Sequence, residues 1–330
     1  MPSTPDPQTA KGAGTGRNSF WMAVVFVLGV GMSLAAFFIS RHWDEERAHL
    51  HLSLQAHAAA AAVGAAADRC DEALHGLSEL LGRRDDLSRA DFAEIAGPLL
   101  RRQPGLLALQ WVPVVPHAER PEVEGRAQRE LGRPFEFSQL DAAGGRQRAA
   151  VREAYWPILF AEPVAGNESA LGFDLSMETT RPALLQARDT ADLVLSIPIR
   201  LGQAPGSQLG YVAIMPVYRG GRIPAVEAER PARLTGFVQG ILRTGDFLTV
   251  AMREAPTGLI ELMGMDLMPG SPFRVVHPAA PQRGERPAPT EAQMRAGWHL
   301  ELKIKHGERQ FALLFRPAPG AMAALRSWNP

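Results

Sequence analysis

One carboxylate stands out in the stretch from Tyr155 to Leu175, which reads YWPILFAEPVAGNESALGFDL. Asp174 lies between two apolar residues there, and burying a carboxylate is costly unless a hydrogen bond or an opposite charge accompanies it. Two interpretations are open. Asp174 either shapes a ligand pocket, paired with Arg181 or Arg188, or it has a capping or salt-bridge role that holds the loop.

The residues after this acid predict the start of a helix. Thr179, Thr180 and Pro182 suit a first turn, because the N–H that proline lacks is not used there. We expect the helix to run from about Pro182 to Arg188. The local order is therefore a strand, a loop that carries an acid, and a helix, which suits a small-ligand pocket and also an ordinary capped helix.

Side chains near this loop could complete a pocket for a small molecule. Pockets of this kind are mostly apolar with a few convergent polar groups. The candidate ligand-binding residues are Tyr155, Phe173, Asp174, Thr180, Arg181, Ser196, Ile214 and Met215. Aromatic and apolar residues at strand spacing equally suit a plain core, so that alternative stays open.

The carboxylates of this region do not specify an enzyme. Glu153, Glu162 and Glu168 could pair with Asp174 in the manner of a glycosidase, but their spacing does not require it. The sequence has no phosphate-binding loop, nucleophile elbow, HExxH motif or dinucleotide fingerprint. We predict that the chain is not an enzyme and holds no cofactor, with a membrane-anchored periplasmic hydrolase or an interaction scaffold as the alternatives.

Composition excludes several classes of protein. The 35 basic and 35 acidic residues of the 330-residue chain cancel, so no bulk field attracts nucleic acid. One cysteine, Cys70, excludes an intrachain disulfide and a cysteine-based zinc site. Four histidines precede it at spacings that put them on different faces of a helix, so we predict no metal site: His42, His49, His51 and His57.

An uncharged run from Phe20 to Ile39 predicts a membrane anchor. Its 20 residues would span roughly 30 Å as a helix, the thickness of a bilayer core. The run is too long for a signal-peptide core, and no convincing cleavage site follows it. Trp21 and Trp43 are placed to sit near the two interfaces. We therefore predict one transmembrane helix over residues 19–40, preceded by a disordered segment over residues 1–18.

Residues 41–81 predict one long helix, in which only Gly64 and Gly76 weaken the helical pattern. About forty residues would make a rod of roughly 60 Å. Its apolar residues form one stripe with a phase slip, at Leu50, Leu54, Ala58, Ala61 and Ala65, then at Cys70, Leu74, Leu77 and Leu81. A helix like this either packs along a domain or pairs with a second copy of itself.

The rest of the chain predicts an α+β protein with two sheet units. A capping box at Ser88 and Asp91 begins a short helix. Further elements of the first unit are strands at 106–115 and 135–140, a helix at 118–131, and adjacent strands at 193–201 and 209–218 joined by residues 202–208. A second unit is expected to begin with LTGFVQGIL at 234–242. It should continue with a helix at 246–254 and a loop at 278–289. Its strands are expected at 259–263, 273–276, 299–305 and 311–315. The alternation of HLELKIK is typical of a sheet with one solvated face.

Several motifs in this order resemble the CHASE family of extracytoplasmic sensor regions. They are PGLLALQWVPVV, EAYWPILFAEPVAGNESALGFDL, Arg181, ARDT at 187–190, SIPI, GYVAIMPVY and LTGFVQGILRTGDF. Members are input regions of bacterial and plant receptor histidine kinases and of diguanylate cyclases. The resemblance implies two tandem PAS-like antiparallel-sheet domains on a stalk helix, a homodimer formed through that stalk, and a periplasmic sensor anchored in the bacterial inner membrane.

The resemblance also implies a domain order. A stalk at 41–85 would be followed by a membrane-distal ligand-binding domain at 86–232 and a membrane-proximal domain at 233–320. A tail at 321–330 would then lead towards a missing second transmembrane helix. The ligand would be a small molecule, sensed for a cytoplasmic output domain that this chain lacks.

The resemblance argues against one ligand. In plant members that bind adenine-type cytokinins, an aspartate directly before the equivalent of Arg181 and a threonine in the strand matching 209–218 hold the hormone. The corresponding residues here are Thr180 and Ile214. We therefore predict that an adenine-type cytokinin is not the ligand, whereas Ser196 does match a hydroxyl of the family.

Overall fold

The computed structural model describes residues 15–200, 209–253, 255, 258–269, 271, 273–277 and 288–327. Predictions for residues 1–14, for the connection at 202–208 and for most of the loop at 278–289 lie outside the described residues. By its contacts the chain divides into two units. One is Ser53–Ala318, and the other combines the residues up to Leu52 with those from Pro319.

The described helices and strands follow one another as a mixed α/β chain. The helices are α1 (Thr15–Gly82), α2 (Arg89–Arg102), α3 (Arg120–Leu131), α4 (Arg181–Thr190), α5 (Arg230–Arg233), α6 (Thr244–Met252), α7 (Glu291–Met294) and α8 (Ala321–Ser327). The strands are β1 (Leu106–Pro113), β2 (Val115–Pro116), β3 (Ser138–Leu140), β4 (Arg146–Arg148), β5 (Ala154–Tyr155), β6 (Phe160–Glu162), β7 (Val194–Leu195), β8 (Ile199–Arg200), β9 (Leu209–Tyr218), β10 (Leu234–Arg243), β11 (Ile260–Asp266), β12 (Arg274–His277), β13 (Leu300–His306) and β14 (Arg309–Pro317).

Helix α1 includes both the apolar run and the long helix that the sequence predicts. It continues without interruption from Thr15 to Gly82, so the expected disorder of residues 15–18 is wrong. By length and composition this helix is able to cross a membrane, and its most apolar window has no buried residue within the protein. Its apolar side chains there, Phe26 and Phe38 among them, are exposed.

The predicted apolar stripe of α1 is buried in its second half but not in its first. Cys70 and Leu74 are buried as expected, together with Leu77 and Leu81. Leu54, by contrast, is 60% exposed, and the other predicted residues of the first half are exposed too, namely Leu50, Ala58, Ala61 and Ala65. The neighbouring stripe is buried instead, at Ala56, Ala59, Ala60, Val63 and Ala67. The segment is apolar on both sides, so its sequence pattern does not specify which side packs.

The first sheet has the order β6-β1-β10-β9-β7, with β8 also paired to β9. Its pairings are antiparallel. Strand β10 lies at its centre, between β1 and β9. The expectation that residues 234–242 begin a second unit is therefore wrong, because these residues complete the first sheet. Two residues of β10, Gly236 and Gly240, leave room for neighbouring strands and for α1.

The two faces of this sheet have different neighbours. Gln239 of β10 lies opposite Gln110 of β1 and Ile214 of β9, and directly opposed residues point to the same side. We call this side the glutamine face. The other side carries Val238 and Gly240, and a Cβ atom at Gly240 would lie 3.2 Å from a methyl group of Leu74 in α1. We call this side the helix face.

The second sheet has the order β12-β11-β14-β13, again with antiparallel pairs. The alternation of HLELKIK predicts β13 correctly, with Lys303 and Lys305 exposed. Helix α6 lies close to the predicted helix at 246–254. In chain order it follows the first sheet and precedes the second. The predicted capping box of α2 is also present, with Ser88 and Asp91 each accepting from the other residue's backbone N–H. Local patterns thus predict most individual elements.

Candidate functional site

Asp174 is fixed where the two halves of the 155–175 stretch pair with each other. Leu175 donates its N–H to the Trp156 carbonyl oxygen, and Ile158 donates to the Phe173 carbonyl oxygen. The Asp174 N–H donates to the Ser138 carbonyl oxygen at 2.8 Å. The acid is therefore held by backbone on both sides, and its side chain is 0% exposed.

The carboxylate of Asp174 accepts four hydrogen bonds. Its Oδ1 accepts from the backbone N–H of Trp156 at 2.8 Å and of Ser176 at 3.0 Å. Its Oδ2 accepts from the Arg152 guanidinium at 2.8 Å and from the Ser176 hydroxyl at 3.0 Å. A buried carboxylate with this many donors has its hydrogen-bonding capacity filled. The geometry favours the interpretation in which Asp174 holds the loop.

The cation beside Asp174 is Arg152. The two arginines that the sequence offered do not take this role: Arg188 pairs with Asp189 at 2.6 Å, and Arg181 is an exposed residue at the start of α4. Arg152 lies 22 residues before Asp174 in the chain. No local pattern links two residues at that separation, which is why the sequence does not identify it.

Tyr155 lies at the centre of a second polar cluster. It is 0% exposed, and its hydroxyl lies 3.0 Å from Nδ1 of His117. The guanidinium of Arg120 lies 4.8 Å from the centre of its ring, a cation–π arrangement. Arg120 is itself buried and donates to Glu124 at 2.8 Å. The surrounding contacts make Tyr155 a core residue, and Arg120 and Glu124 are site residues that the sequence did not indicate.

The hydroxyl groups of two candidate residues, Ser196 and Thr180, differ in their hydrogen bonding. Ser196 is buried, and its Oγ donates to the Ile197 carbonyl oxygen at 2.7 Å and accepts from the Val212 N–H at 3.0 Å. Its hydrogen bonds are thus used within the sheet. Thr180 precedes α4 but makes no side-chain capping bond, and its buried Oγ1 has no hydrogen-bond partner among the residues that the structure describes.

The candidates Ile214 and Met215 lie on opposite faces of the first sheet, because successive strand residues alternate. Ile214 is opposite Gln239 on the glutamine face. Met215 is opposite Val238 on the helix face and lines a cavity of about 280 Å³ with His75 and Ser78 of α1. The expectation that both line one pocket is wrong. Phe173 is half-buried, with the guanidinium of Arg146 6.0 Å from its ring centre.

Two glutamines on the glutamine face are functional candidates that the sequence analysis missed. Gln110 and Gln239 are 4% and 2% exposed on neighbouring strands. The Nε2 of Gln239 has no hydrogen-bond partner among the described residues. An unpaired buried donor costs about 1–3 kcal/mol. Each glutamine is flanked by apolar residues and glycine within its strand, and that signal could have identified both.

The carboxylates proposed as a glycosidase-type pair are not gathered around Asp174 by any described contact, and its hydrogen bonds are already filled. Glu153 and Glu168 are exposed, and Glu162 is half-buried in β6. Among the residues that the structure describes, no group of three His, Cys, Asp or Glu side chains is arranged to hold a metal ion.

A buried ionic network connects the two sheets. Arg309 of β14 donates to the Asp266 carboxylate of β11 at 2.8 Å and to the Leu195 carbonyl oxygen of β7 at 3.2 Å. The Tyr211 hydroxyl of β9 donates to the same carboxylate at 3.0 Å. Burial raises the pKa of Tyr211 well above its usual range, and the adjacent Asp266 raises it further. The edge of the first sheet is thereby tied to the second sheet.

Three of the solved structures to which this chain is similar are described as a receptor, a chemotaxis protein and a sensory domain. The extracellular ligand binding receptor from Desulfohalobium retbaense has 12% identity and a TM-score of 0.47 over 80% of this chain, which spans 40% of that receptor's length. Methyl-accepting chemotaxis protein X has 11% identity and a TM-score of 0.46, with 83% of this chain and 99% of that one covered. The periplasmic sensory domain of the Campylobacter jejuni chemoreceptor Tlp1 has 9% identity and a TM-score of 0.45, with 86% and 97% covered. No curated protein sequence matches this chain.

The long apolar helix and the antiparallel sheets make this a mixed α/β protein. Residues 85–277 match the CHASE domain, and this match covers more than half of the chain. The chain belongs to the CHASE domain family, as the motifs in its sequence indicate.

Proposed function

We propose that this chain is the extracytoplasmic small-molecule sensor of a transmembrane receptor and that its ligand binds against the glutamine face of the first sheet. Membership of the CHASE family supports a sensing role. The observation that carries the location is the buried Nε2 of Gln239 on the central strand, a hydrogen-bond donor without a partner in the described part of the chain. A ligand acceptor atom would remove the cost of leaving it unpaired.

The neighbours of Gln239 suit a small, mostly apolar ligand. Ile214 lies directly opposite Gln239 on β9. Phe237, two residues before Gln239, is on the same face of β10. Trp156, from the stretch that ends at Asp174, packs against Phe237 with ring centres 5.5 Å apart. Thr180 precedes α4, a helix that contacts β9, and its Oγ1 is a second buried polar atom with no hydrogen-bond partner among the described residues. Among the candidates taken from the sequence, Thr180 and Ile214 therefore remain in the proposed site.

The other candidates have supporting roles in this proposal. Asp174 and Ser196 have filled hydrogen bonds, and Tyr155 is packed in the core. Threonine and isoleucine at 180 and 214 lack the acid and hydroxyl that hold an adenine-type cytokinin in plant members. The proposed ligand is therefore a different small molecule, and the chain acts without catalysis or a cofactor.

The proposed anchorage uses the apolar part of α1, residues 19–40, with the sensor in the periplasm and residues 41–82 as the stalk. The domain boundaries follow the prediction with one change. The membrane-distal, PAS-like domain extends from 86 to 243, because it requires β10, and the membrane-proximal domain follows.

Pairing of two chains along α1 is part of the proposal. The exposed stripe at Leu54, Ala58, Ala61 and Ala65 is apolar and recurs at helical spacing. Burial of this stripe against its copy would remove leucine and alanine side chains from water. Ligand binding would then be relayed through the Asp266–Arg309 network and α1, provided that the ligand has different affinities for two arrangements of the stalk.

The test is a thermal-shift screen of the full chain in lipid nanodiscs against purines, carboxylates and other small metabolites. We expect one compound class to raise the Tm, and Gln239→Leu to abolish that rise. Gln310→Leu makes the same exchange at an exposed strand position and should keep it. Stabilisation by adenine-type compounds would contradict the exclusion of cytokinin. An equal rise in Gln239→Leu would contradict the proposed location.

A further inference from the structure

A cavity of about 60 Å³ lies within the Ser53–Ala318 unit, where three parts of the fold converge. Helix α1 contributes Val63 and Ala67, and the first sheet contributes Leu242 of β10. The second sheet contributes Gly264 and Ile304. Any occupant would therefore touch the stalk helix and both sheets at once.

Two polar groups in the wall of this cavity are bonded to partners that do not line it. Nε2 of His306 lies 2.6 Å from the Asp71 carboxylate, and the Tyr211 hydroxyl is bonded to Asp266. Thr244 supplies a further hydroxyl, and the other described lining residues are apolar. A buried water needs two to four polar partners. These walls therefore favour a hydrocarbon-like occupant over water.

The volume limits the size of the occupant. A cavity of about 10–15 Å³ is enough for one water, and an engineered apolar cavity of about 150 Å³ binds benzene or xenon. A volume of about 60 Å³ lies between these limits. An occupant of a few heavy atoms, smaller than benzene, would gain dispersion contacts with α1 and with both sheets without desolvating a charge.

We propose that this cavity is a second binding site, which takes a small uncharged apolar molecule of the size of xenon or cyclopropane. It is distinct from the glutamine face, and the proposal does not depend on the ligand proposed there. Its occupancy stabilises the packing of α1 on the two sheets.

Gly264 provides a variant that fills the cavity. A Cβ atom there would lie 3.5 Å from a methyl group of Leu248, another lining residue, and 3.8 Å from the Val275 carbonyl oxygen. Both are ordinary contact distances, so Gly264→Ala adds a methyl group without a clash. Gly125→Ala in α3 is the matched control. Its Cβ atom would lie 3.5 Å from a side-chain nitrogen of Arg129, the same distance as at Gly264, and Gly125 does not line this cavity.

The experiment measures Tm by intrinsic fluorescence for the full chain in nanodiscs under increasing xenon pressure, with argon as reference. At a tenfold excess of xenon over its Kd we expect a rise of about 3–6 °C for the natural chain, and the rise should grow with the logarithm of the xenon pressure. Gly125→Ala should show the same rise, and Gly264→Ala should show none.

Val63→Ala serves as a second variant, because it removes methyl groups from the same wall and should allow cyclopentane to raise the Tm as well. A rise of equal size in Gly264→Ala would assign the effect to lipid or to another site and would overturn the proposal. So would the absence of any rise in both the natural chain and Val63→Ala.

Discussion

Replacing Asp174 with asparagine tests whether this buried acid holds the 155–175 loop. The change keeps the size of the side chain but removes its charge and turns one oxygen into an NH₂ group. Arg152 and the Ser176 hydroxyl donate to Oδ2, while two backbone N–H groups donate to Oδ1. Whichever way the amide points, two donors would face a donor.

The magnitude follows from these contacts. Removing one partner of a buried ion pair costs about 3–5 kcal/mol. The Arg152 side chain is 18% exposed and can recover some hydration, so we expect the lower end, about 3 kcal/mol. For a unit of this size about 1 kcal/mol corresponds to 2–4 °C, which gives a fall in Tm of about 6–12 °C.

The assay is urea unfolding of the full chain in nanodiscs, followed by tryptophan fluorescence. Asp192→Asn is the matched control, because Asp192 is exposed and the same exchange should change stability by less than about 0.5 kcal/mol. If Asp174→Asn were as stable as the natural chain, the ion pair with Arg152 would not hold the loop. If it kept its stability and lost only the response to ligand, Asp174 would belong to the binding site instead.

Two further predictions concern the region where α1 packs. Burial raises the pKa of the Cys70 thiol to about 12, and burial likewise raises the pKa of Tyr218 to about 12. The folded state therefore keeps these protons where the unfolded chain loses them, so stability should fall as the pH rises above about 9, by up to about 1.4 kcal/mol per pH unit for each proton. Urea titrations at pH 7 to 11 measure this slope, and Cys70→Ala should flatten its first part; an unchanged slope in that variant would contradict the assignment to Cys70. Gly221→Ala should destabilise the protein by about 2–5 kcal/mol, since its φ is +68° and a Cβ atom would lie 2.3 Å from the Glu79 carbonyl oxygen. Gly220→Ala, with φ +82° and open space around its Cβ, should cost only about 1–2 kcal/mol, and equal losses in thermal melts of the two variants would refute the close approach.

The sequence predicts those parts of the fold that depend on neighbours along the chain. The capping box of α2, the continuous helix to Gly82 and the alternation in β13 each depend on residues a few positions apart. The site is less predictable, because its contacts are not local. Asp174 was identified as a buried acid, but its partner Arg152 is 22 residues away, and no short pattern connects them.

Two errors have the same physical origin. The sequence of β10 specifies a strand but not its neighbours, so its place at the centre of the first sheet could not be predicted. The alanine-rich part of α1 is apolar on two sides, so tertiary packing decides which side is buried. The opposite orientations of Ile214 and Met215, by contrast, follow from the alternation of any strand and could have been predicted from the sequence.

The position of β10 has a consequence for synthesis of the protein. Leu106 of β1 pairs with Leu242, so these two partners are more than a hundred residues apart in the chain. Until β10 leaves the ribosome, β1 and β9 each lack a central partner and present open edges that invite pairing with other chains. A nascent chain that stalls before residue 234 would therefore be prone to aggregate, and its protection during export would fall to chaperones.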